Sequence, residues 1–316
     1  MKAEKKQKKS TKRDSSFGLI IYKSTVGDRI FNAVNIFLFA VFMIICVFPF
    51  YYLFINTISD NELVNRGMIT FIPKGIHLSN YKALLNISDL GKSFIVTISR
   101  TILGTALMVA VSGFAGYIVT KQHMWKRKLW YRMIVITMYF NAGLIPWYLN
   151  MLMLGLTNSF WAYIIPGIVA PYNIILVKTY VESISQELEE SALLDGATTM
   201  QVFTKIIWPL SKPILATIAI FGAVGNWNSF QDSLLLMNSN PGLYTLQHRL
   251  YIYLNQATSI SSEIDAAMVD RIAAGMLSNR IIKYSISMVT VIPILCVYPF
   301  MQRYFVKGIM LGAVKG

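Results

Sequence analysis

Few residues in this chain of 316 amino acids have the types and spacing that chemistry requires. Its two cysteines, Cys46 and Cys296, both fall inside apolar runs, which argues against a disulfide framework. Catalysis needs convergent acid, base, metal or nucleophile groups, and no apolar stretch supplies paired carboxylates or a histidine-rich site. The three histidines are too far apart to indicate a metal site: His77, His123 and His248. We therefore expect that the chain is not an enzyme and binds neither a metal nor a cofactor.

One segment imitates a nucleotide-binding motif. Gly91-Lys92-Ser93 resembles the end of a phosphate-binding loop, but that motif requires another glycine five residues before Gly91. This chain has Asn86 there. We therefore expect no nucleotide at this segment.

Amides and an indole group concentrate between residues 226 and 232, inside an otherwise apolar run. Tryptophan faces stack on sugar rings and amides hydrogen-bond hydroxyl groups, so this mixture suits a carbohydrate path. Hydrogen bonding between packed helices is the alternative. The candidate residues are Asn226, Trp227, Asn228, Gln231 and Asp232, with Asn141 and Tyr172 as weaker ones.

The composition indicates that lipid surrounds most of the chain. Apolar residues make up 55% and charged residues 14%, whereas soluble domains carry about 25% charged residues. Crossing a bilayer takes roughly 20 mainly apolar residues. Six stretches meet this length, at about 31–56, 93–119, 129–154, 159–181, 214–237 and 284–304. The predicted fold class is all-α, a polytopic membrane protein with six transmembrane helices.

Basic residues predict the orientation, because lysine and arginine mark the cytoplasmic side. Nine of them precede residue 31, four lie between spans two and three, and none lies between spans three and four. Both termini are then cytoplasmic, the links at 57–92 and 238–283 face outward, and the link at 182–212 faces inward. We expect residues 1–30 to form a basic cytoplasmic tail and an interfacial helix. The net charge of +14 then belongs to the membrane surface and not to nucleic acid.

Arg100 in span two and Asp232 in span five are charged residues at membrane depth, where charges are costly. We expect that they pair or that both line an outer vestibule. Snorkelling of Arg100 to the surface is the alternative.

The inward link has a character of its own. Acidic and small residues fill 187–197, interrupted by Gly196, and an amphipathic stretch from Met200 to Ile207 ends at Pro209. The pattern predicts a helix, a tight turn that glycine permits, and a second short helix along the membrane surface. Such a link between two spans can transmit a push from a partner.

This link carries the motif of a known family: Glu-Ala-Ala, three residues, Gly, nine residues, Ile, one residue, Leu-Pro. The chain matches at Glu190, Ala192, Gly196, Ile206 and Pro209, and departs from it at Ser191 and Trp208. It resembles the permease subunits of ATP-binding-cassette (ABC) importers. Asp195, Ala197, residues 209–213 and the last residues, 304–316, look like the carbohydrate branch, whose maltose-type members have the type I permease fold.

The resemblance implies roles for two segments. The 182–212 link would be the coupling helix in a groove of the ATPase, with Glu190 as the acidic contact, Gly196 as the turn, and Ala192 and Ala197 permitting close approach. Simple helix capping by Glu190 and Asp195 is the alternative. The permease domain would cover residues 31–307. The tail that follows, at 308–316, would reach the ATPase dimer; an ordinary frayed chain end is the alternative. Its candidate contacts are Lys307, Gly308, Gly312 and Lys315.

The resemblance also implies the partners. An extracellular sugar-binding protein would meet the outward loop at Tyr244, Arg249, Tyr251 and Tyr253, although a structured cap would have the same composition. A second permease would complete the path for an oligosaccharide, and the partner ATPase dimer would hold ATP and magnesium. The expected location is the bacterial cytoplasmic membrane. A membrane-embedded enzyme or an ion-coupled carrier would require intramembrane groups that the spans lack.

Overall fold

The computed structural model describes residues 26–85, 88–255 and 278–313; for Leu85, Ser88, Asn279, Tyr298, Phe300 and residues 301–313 it describes the backbone only. Across these ranges the chain is helical and contains no strand, which confirms the all-α prediction for them. The helices are α1 (Val26–Ile58), α2 (Asn61–Asn65), α3 (Ser79–Leu85), α4 (Ser88–Thr120), α5 (Arg127–Tyr139), α6 (Leu144–Met153), α7 (Pro171–Val181), α8 (Glu187–Leu194), α9 (Thr199–Val202), α10 (Trp208–Leu210), α11 (Lys212–Asn228), α12 (Gln231–Leu236), α13 (Leu246–Asn255) and α14 (Asn279–Ala313). Short 3₁₀ turns lie at Phe160–Tyr163, Ile165–Gly167 and Pro241–Leu243, and a π turn lies at Phe203–Ile207.

Three of the described helices, α1, α4 and α14, are long and apolar enough to cross a membrane. The number rises to five if each of two bent pairs is one span. Phe160–Gly167 with Pro171–Val181 bends by 43°, and Thr199–Leu210 with Lys212–Asn228 bends by 77°. Six spans therefore remain a prediction.

Three predicted spans are interrupted, which corrects their description as single helices: the stretch 159–181 contains the 43° bend before Pro171, and two further stretches are divided between helices. The stretch 129–154 is divided between α5 and α6. Between these helices Gly143 adopts a φ of +89°, and the N–H of Gly143 donates a hydrogen bond to the side-chain oxygen of Asn141 at 2.9 Å. The stretch 214–237 is divided between α11 and α12, because Ser229 has an extended backbone. Asn141 thus lies in a break and not inside a span.

The contacts divide the chain into a unit up to Tyr52 and a unit from Leu53 onward. In the first unit, residues 26–52 are helical and expose their apolar side chains. In the second unit, α4 contributes to buried clusters at both of its ends. Near its start, Leu90 and Phe94 pack with the cluster around Ile281, and near its end Tyr117 packs with Phe203. With 33 residues, α4 is about 50 Å long, so these two regions are well separated.

Candidate functional site

The turn at Gly196 has the predicted geometry. Gly196 adopts a φ of +83°, in the left-handed region that glycine tolerates best. Its N–H donates to the carbonyl of Leu193 at 3.1 Å, and the N–H of Ala197 donates to the carbonyl of Ala192 at 3.0 Å. This pair of bonds is a Schellman motif, which ends α8 and reverses the chain direction.

The helix after the turn is longer than the sequence predicts. A capping box between Thr198 and Gln201 starts it, and it continues through α9, the π turn and α10. Pro209 was expected to end this helix, and the helix ends one residue after it, at Leu210.

Aromatic packing fixes this loop to the end of α4. Phe203 is buried, and its ring centroid lies 5.1 Å from that of Tyr117, 5.5 Å from that of Phe114 and 5.6 Å from that of Trp208. Trp208 lies directly over Gly113. A Cβ atom at Gly113 would come within 2.6 Å of the indole Cζ3 atom. The tryptophan at this motif position therefore fills space that a glycine on α4 leaves open.

Charge also ties α8 to α4. Glu189 forms an ion pair with Lys121, whose Nζ lies 3.9 Å from the ring centroid of Tyr117. The Tyr117 hydroxyl lies 3.4 Å from both Oε1 of Glu189 and the carbonyl oxygen of Thr199, so it can donate to either. Sequence reasoning did not find these roles. Two features of the sequence could have indicated them: the acidic cluster that contains Glu189, and the position of Tyr117 just before the basic link.

The opposite face of the loop is exposed. Glu190, Ser191 and Asp195 are exposed, and Leu194 is 88% exposed between them. Neither Glu190 nor Asp195 makes a side-chain hydrogen bond or an ion pair with another described residue. Glu190 lies in the first turn of α8, where a carboxylate favours the helix dipole. Ala192, Ala197 and Ile206 instead face inward, against the cluster around Phe203.

A second polar cluster lies near the other end of α4, around Arg100. This side chain is only 2% exposed. Its guanidinium donates to Asp232 through both terminal nitrogens, at 3.2 Å and 2.5 Å, and to the carbonyl of Ser229 at 3.3 Å. It also lies 4.4 Å from the ring centroid of Tyr163. The expected pair forms, and Arg100 does not snorkel to the surface.

Hydrogen bonds extend this cluster to α13. Oγ of Ser233 lies 2.9 Å from the hydroxyl of Tyr163 and 2.9 Å from Nδ1 of His248. Burial and, to a smaller extent, the neighbouring charge of Arg249 lower the pKa of His248 to about 4, while Asp232 opposes the shift. The ring of His248 is therefore neutral at physiological pH. Arg249 itself pairs with Asp89 at 3.3 Å, which fixes α13 to the start of α4.

The other candidates for the substrate path are scattered. Trp227 is 8% exposed and donates its indole N–H to the carbonyl of Thr290 at 3.0 Å, which favours helix packing over stacking on a sugar. Asn226 lies 3.4 Å from the hydroxyl of Thr105. Asn228 accepts from Gln247 at 3.2 Å. Three further candidates are exposed: Gln231, Asn141 and Tyr172.

In the outward loop, Tyr244 is buried against His248, Tyr253 is partly buried, and Tyr251 is exposed and stacks on Phe230 with ring centroids 5.0 Å apart. Residues 256–277 of this loop lie outside the described residues.

The predicted C-terminal tail continues α14. Lys307, Gly308 and Gly312 belong to this helix, which extends to Ala313, and Lys315 lies outside the described residues.

Residues 113–311, which contain the Gly196 loop and most of α14, match the family described as "binding-protein-dependent transport system inner membrane component". The chain belongs to this family. Membership confirms the predicted family, the permease subunits of ABC importers, and agrees with the apolar helices α1, α4 and α14.

Individual relatives match nearly the whole permease. Protein LplC of Bacillus subtilis is 35% identical over 294 residues, which are 93% of this chain and 97% of LplC. The polygalacturonan/rhamnogalacturonan transport system permease protein YtcP of the same species is 32% identical over 289 residues, 92% of this chain and 99% of YtcP. A chain in the crystal structure of a bacterial ABC transporter that imports the acidic polysaccharide alginate superposes with a TM-score of 0.80 at 30% identity, covering 90% of this chain and 100% of that one. The type I permease fold is thereby confirmed.

Proposed function

We propose that this permease forms, with a second permease, the membrane path for an oligosaccharide, and that a separate ATPase binds its 182–212 loop. An extracellular binding protein delivers the oligosaccharide, and ATP and magnesium belong to the ATPase. The observation that carries the proposal is the two-sided construction of this loop. One side is fixed to α4 through Phe203, Trp208 and the Lys121–Glu189 pair. The other side is exposed.

The exposed side has the composition of a docking surface. Leu193 and Leu194 project between Glu190 and Asp195, and Met200 is exposed on the next helix. Apolar anchors inside a polar rim are typical of protein interfaces. A partner that pushes on these side chains moves α8, and the Tyr117–Phe203 contact passes that movement to α4 as a rigid body.

The names of the relatives support the type of cargo. The alginate transporter and the polygalacturonan/rhamnogalacturonan permease both handle polymeric sugars. Exposed amides on this chain, such as Gln231 beside the break at Ser229, are suited to sugar hydroxyl groups. The permease lies in the bacterial cytoplasmic membrane, with six spans and both termini in the cytoplasm.

A pull-down in detergent tests the docking surface. The tagged chain is compared with a Glu190→Ala, Leu194→Ala variant, which removes only exposed side chains and leaves the contacts with α4 intact. A matched control is Glu62→Ala, Met68→Ala, because this exposed acid and this exposed apolar side chain lie near α2, outside the loop. We expect that the loop variant keeps the second permease and loses at least nine-tenths of the ATPase.

The control variant is expected to keep both partners. If the loop variant retains the ATPase at the wild-type level, the loop is not the docking surface. If the unmodified chain captures no ATPase from cells that express the whole transporter, the importer assignment itself fails, and a stand-alone carrier replaces it.

A further inference from the structure

A group of amide and aromatic side chains lies where the break after α11 meets α13. The side-chain nitrogen of Gln247 donates to the side-chain oxygen of Asn228 at 3.2 Å. The rings of Phe230 and Tyr251 stack with their centroids 5.0 Å apart and their planes inclined by 24°. Because Gln247 and Tyr251 are four residues apart on α13, they lie on one face of that helix, and the two pairs are neighbours. We call these four residues the amide–aromatic platform.

The platform has hydrogen-bonding groups that this chain leaves open. Each amide carries a donor nitrogen and an acceptor oxygen. The nitrogen of Asn228 and the oxygen of Gln247 make no hydrogen bond with another described residue. Asn228 is exposed, and Tyr251 is 40% exposed. A ligand would therefore find a donor and an acceptor side by side, next to an aromatic ring.

Contacts with α4 hold both halves of the platform in place. At the break, the carbonyl of Ser229 accepts from the buried guanidinium of Arg100 at 3.3 Å. At the start of α13, the N–H of Leu246 donates to the hydroxyl of Thr97 at 2.8 Å. Because one helix supplies both contacts, the amide pair and the ring pair keep their spacing. A site that is already ordered loses less conformational entropy when a ligand binds.

The platform lies at the end of an exposed face of α11. Phe221, Val224, Gly225 and Asn228 have the spacing of one helix face, and all four are exposed. This face leads along the predicted fifth span to the predicted outward link at 238–283, which contributes the α13 half of the platform. A molecule that enters along α11 from outside would therefore meet the platform before the apolar part of the helix.

The chemistry of the platform matches a pyranose ring. None of its four side chains is charged. Two neighbouring hydroxyl groups of a sugar offer an acceptor to one amide and a donor to the other. The C–H face of the same sugar ring packs on an aromatic side chain. Small-molecule sites commonly combine such aromatic lining with a few placed polar groups.

Building on the proposed import of an oligosaccharide, we propose that the platform binds one sugar ring of this cargo at the outer end of the path. Asn228 donates to one hydroxyl group and Gln247 accepts from the next, while Tyr251 packs on the C–H face of the ring. Phe230 supports the ring of Tyr251 from its other side. The structure thereby adds Phe230 and Gln247 to the residues that contact the cargo.

Binding of two trisaccharides tests the proposal. The purified full-length chain is titrated with maltotriose and with trigalacturonate, a neutral and an acidic sugar that both carry neighbouring hydroxyl groups, and dissociation constants are measured by saturation-transfer NMR. The platform variant is Gln247→Ala, Tyr251→Leu. The matched control is Gln122→Ala, Tyr139→Leu, which makes the same two substitutions at exposed positions outside the platform. Because the platform variant loses a hydrogen bond and a ring face, we expect about ten-fold weaker binding of both sugars, and no change for the control.

Two single variants separate the contributions. Tyr251→Phe keeps the ring and should bind as the unmodified chain does. Gln247→Ala leaves the stacked rings intact and should weaken binding by about five-fold. If the platform variant melts at a lower temperature than the control, this single variant decides the test.

Each other outcome overturns the proposal. Failure of the unmodified chain to bind either trisaccharide would do so, since both offer the ring face and the hydroxyl pair. Equal losses in the platform and control variants would show that the platform is not the site. Normal sugar binding by the platform variant, with reduced capture of the second permease or the binding protein in a pull-down, would make the platform a protein contact. Capture of the ATPase in the same pull-down tests the importer assignment separately, so that either proposal can fail without the other.

Discussion

At the scale of single residues, the burial of the Arg100 charge has a large desolvation cost. A guanidinium that is 2% exposed is stabilised by Asp232, by the carbonyl of Ser229 and by the ring of Tyr163. Removing one member of a buried pair leaves the other charge without compensation. Arg100 and Asp232 together stabilise the chain where it passes from α11 to α12. Either side chain alone would be a buried charge without a partner.

A double-mutant cycle measures this dependence. We expect Arg100→Gln and Asp232→Asn each to destabilise the chain by about 3–5 kcal/mol. The double variant should recover part of that loss, because no unpaired charge remains. The measurement is the free energy of unfolding of the purified full chain in mixed micelles with increasing denaturant. Additive losses would contradict a direct pair.

His248 predicts a pH dependence of stability. Burial lowers its pKa from 6.5 to about 4 in the folded chain. Between these values the unfolded chain binds more protons, so the stabilisation is complete above pH 6.5 and declines as the pH falls toward 4. The slope is at most about 1.4 kcal/mol per pH unit.

Unfolding temperatures between pH 4.5 and 7.5 check this dependence. His248→Asn, which keeps a hydrogen-bond acceptor for Ser233 but does not titrate, should flatten the profile. The exposed His123→Asn serves as control and should follow the unmodified chain. Identical profiles for the unmodified chain and His248→Asn would assign the acid sensitivity to other groups.

At the scale of elements, glycines determine how closely helices approach. A Cβ atom on Gly113 would lie 2.6 Å from Trp208, whereas one on Gly225 would have no atom within 4 Å. Gly113→Ala should therefore cost about 1–3 kcal/mol through overpacking and weaken ATPase capture. Gly225→Ala, also inside a helix, should be neutral or slightly stabilising.

Two measurements test this contrast: the unfolding free energy in detergent and the amount of captured ATPase. Trp208→Leu added to Gly113→Ala should restore both, because the smaller side chain leaves room for the new methyl group. A loss of stability without recovery in the double variant would show that the Gly113–Trp208 contact is not the cause.

The sequence predicted elements better than it predicted their interruptions. The turn at Gly196 followed from local chemistry, since a left-handed residue after a helix favours glycine. The breaks at Asn141 and Ser229 were not predicted, because hydropathy is averaged over about 20 residues and a short turn does not change that average. The partners of Glu189 were also missed. Tyr117 and Lys121 lie 72 and 68 residues away in sequence, and only the packing of α8 on α4 brings them together.

At the scale of the whole molecule, α4 links the two polar regions of the second unit. Tyr117 near its end, and Lys121 just after it, contact the 182–212 loop. Asp89, Ser93 and Arg100 in its first half contact α12 and α13. A rigid helix about 50 Å long that is paired at both ends can convey a displacement of the loop to the opposite end.

This use of α4 requires that the two ends lie on opposite sides of the membrane. In the six-span arrangement, residues 122 and 185 face the cytoplasm and residue 239 faces outward. Single cysteines at the exposed positions Gln122, Ser185 and Ser239 test it in a background of Cys46→Ala and Cys296→Ala, since both native thiols are exposed. A membrane-impermeant maleimide should label Ser239→Cys in intact spheroplasts, and the other two only after permeabilisation. Labelling of Gln122→Cys and Ser185→Cys from different sides would mean that the chain crosses the membrane an odd number of times between them. Labelling of Ser185→Cys and Ser239→Cys from the same side would mean that α11 and α12 do not cross together, and α4 would then have no second side to which the loop's movement could be conveyed.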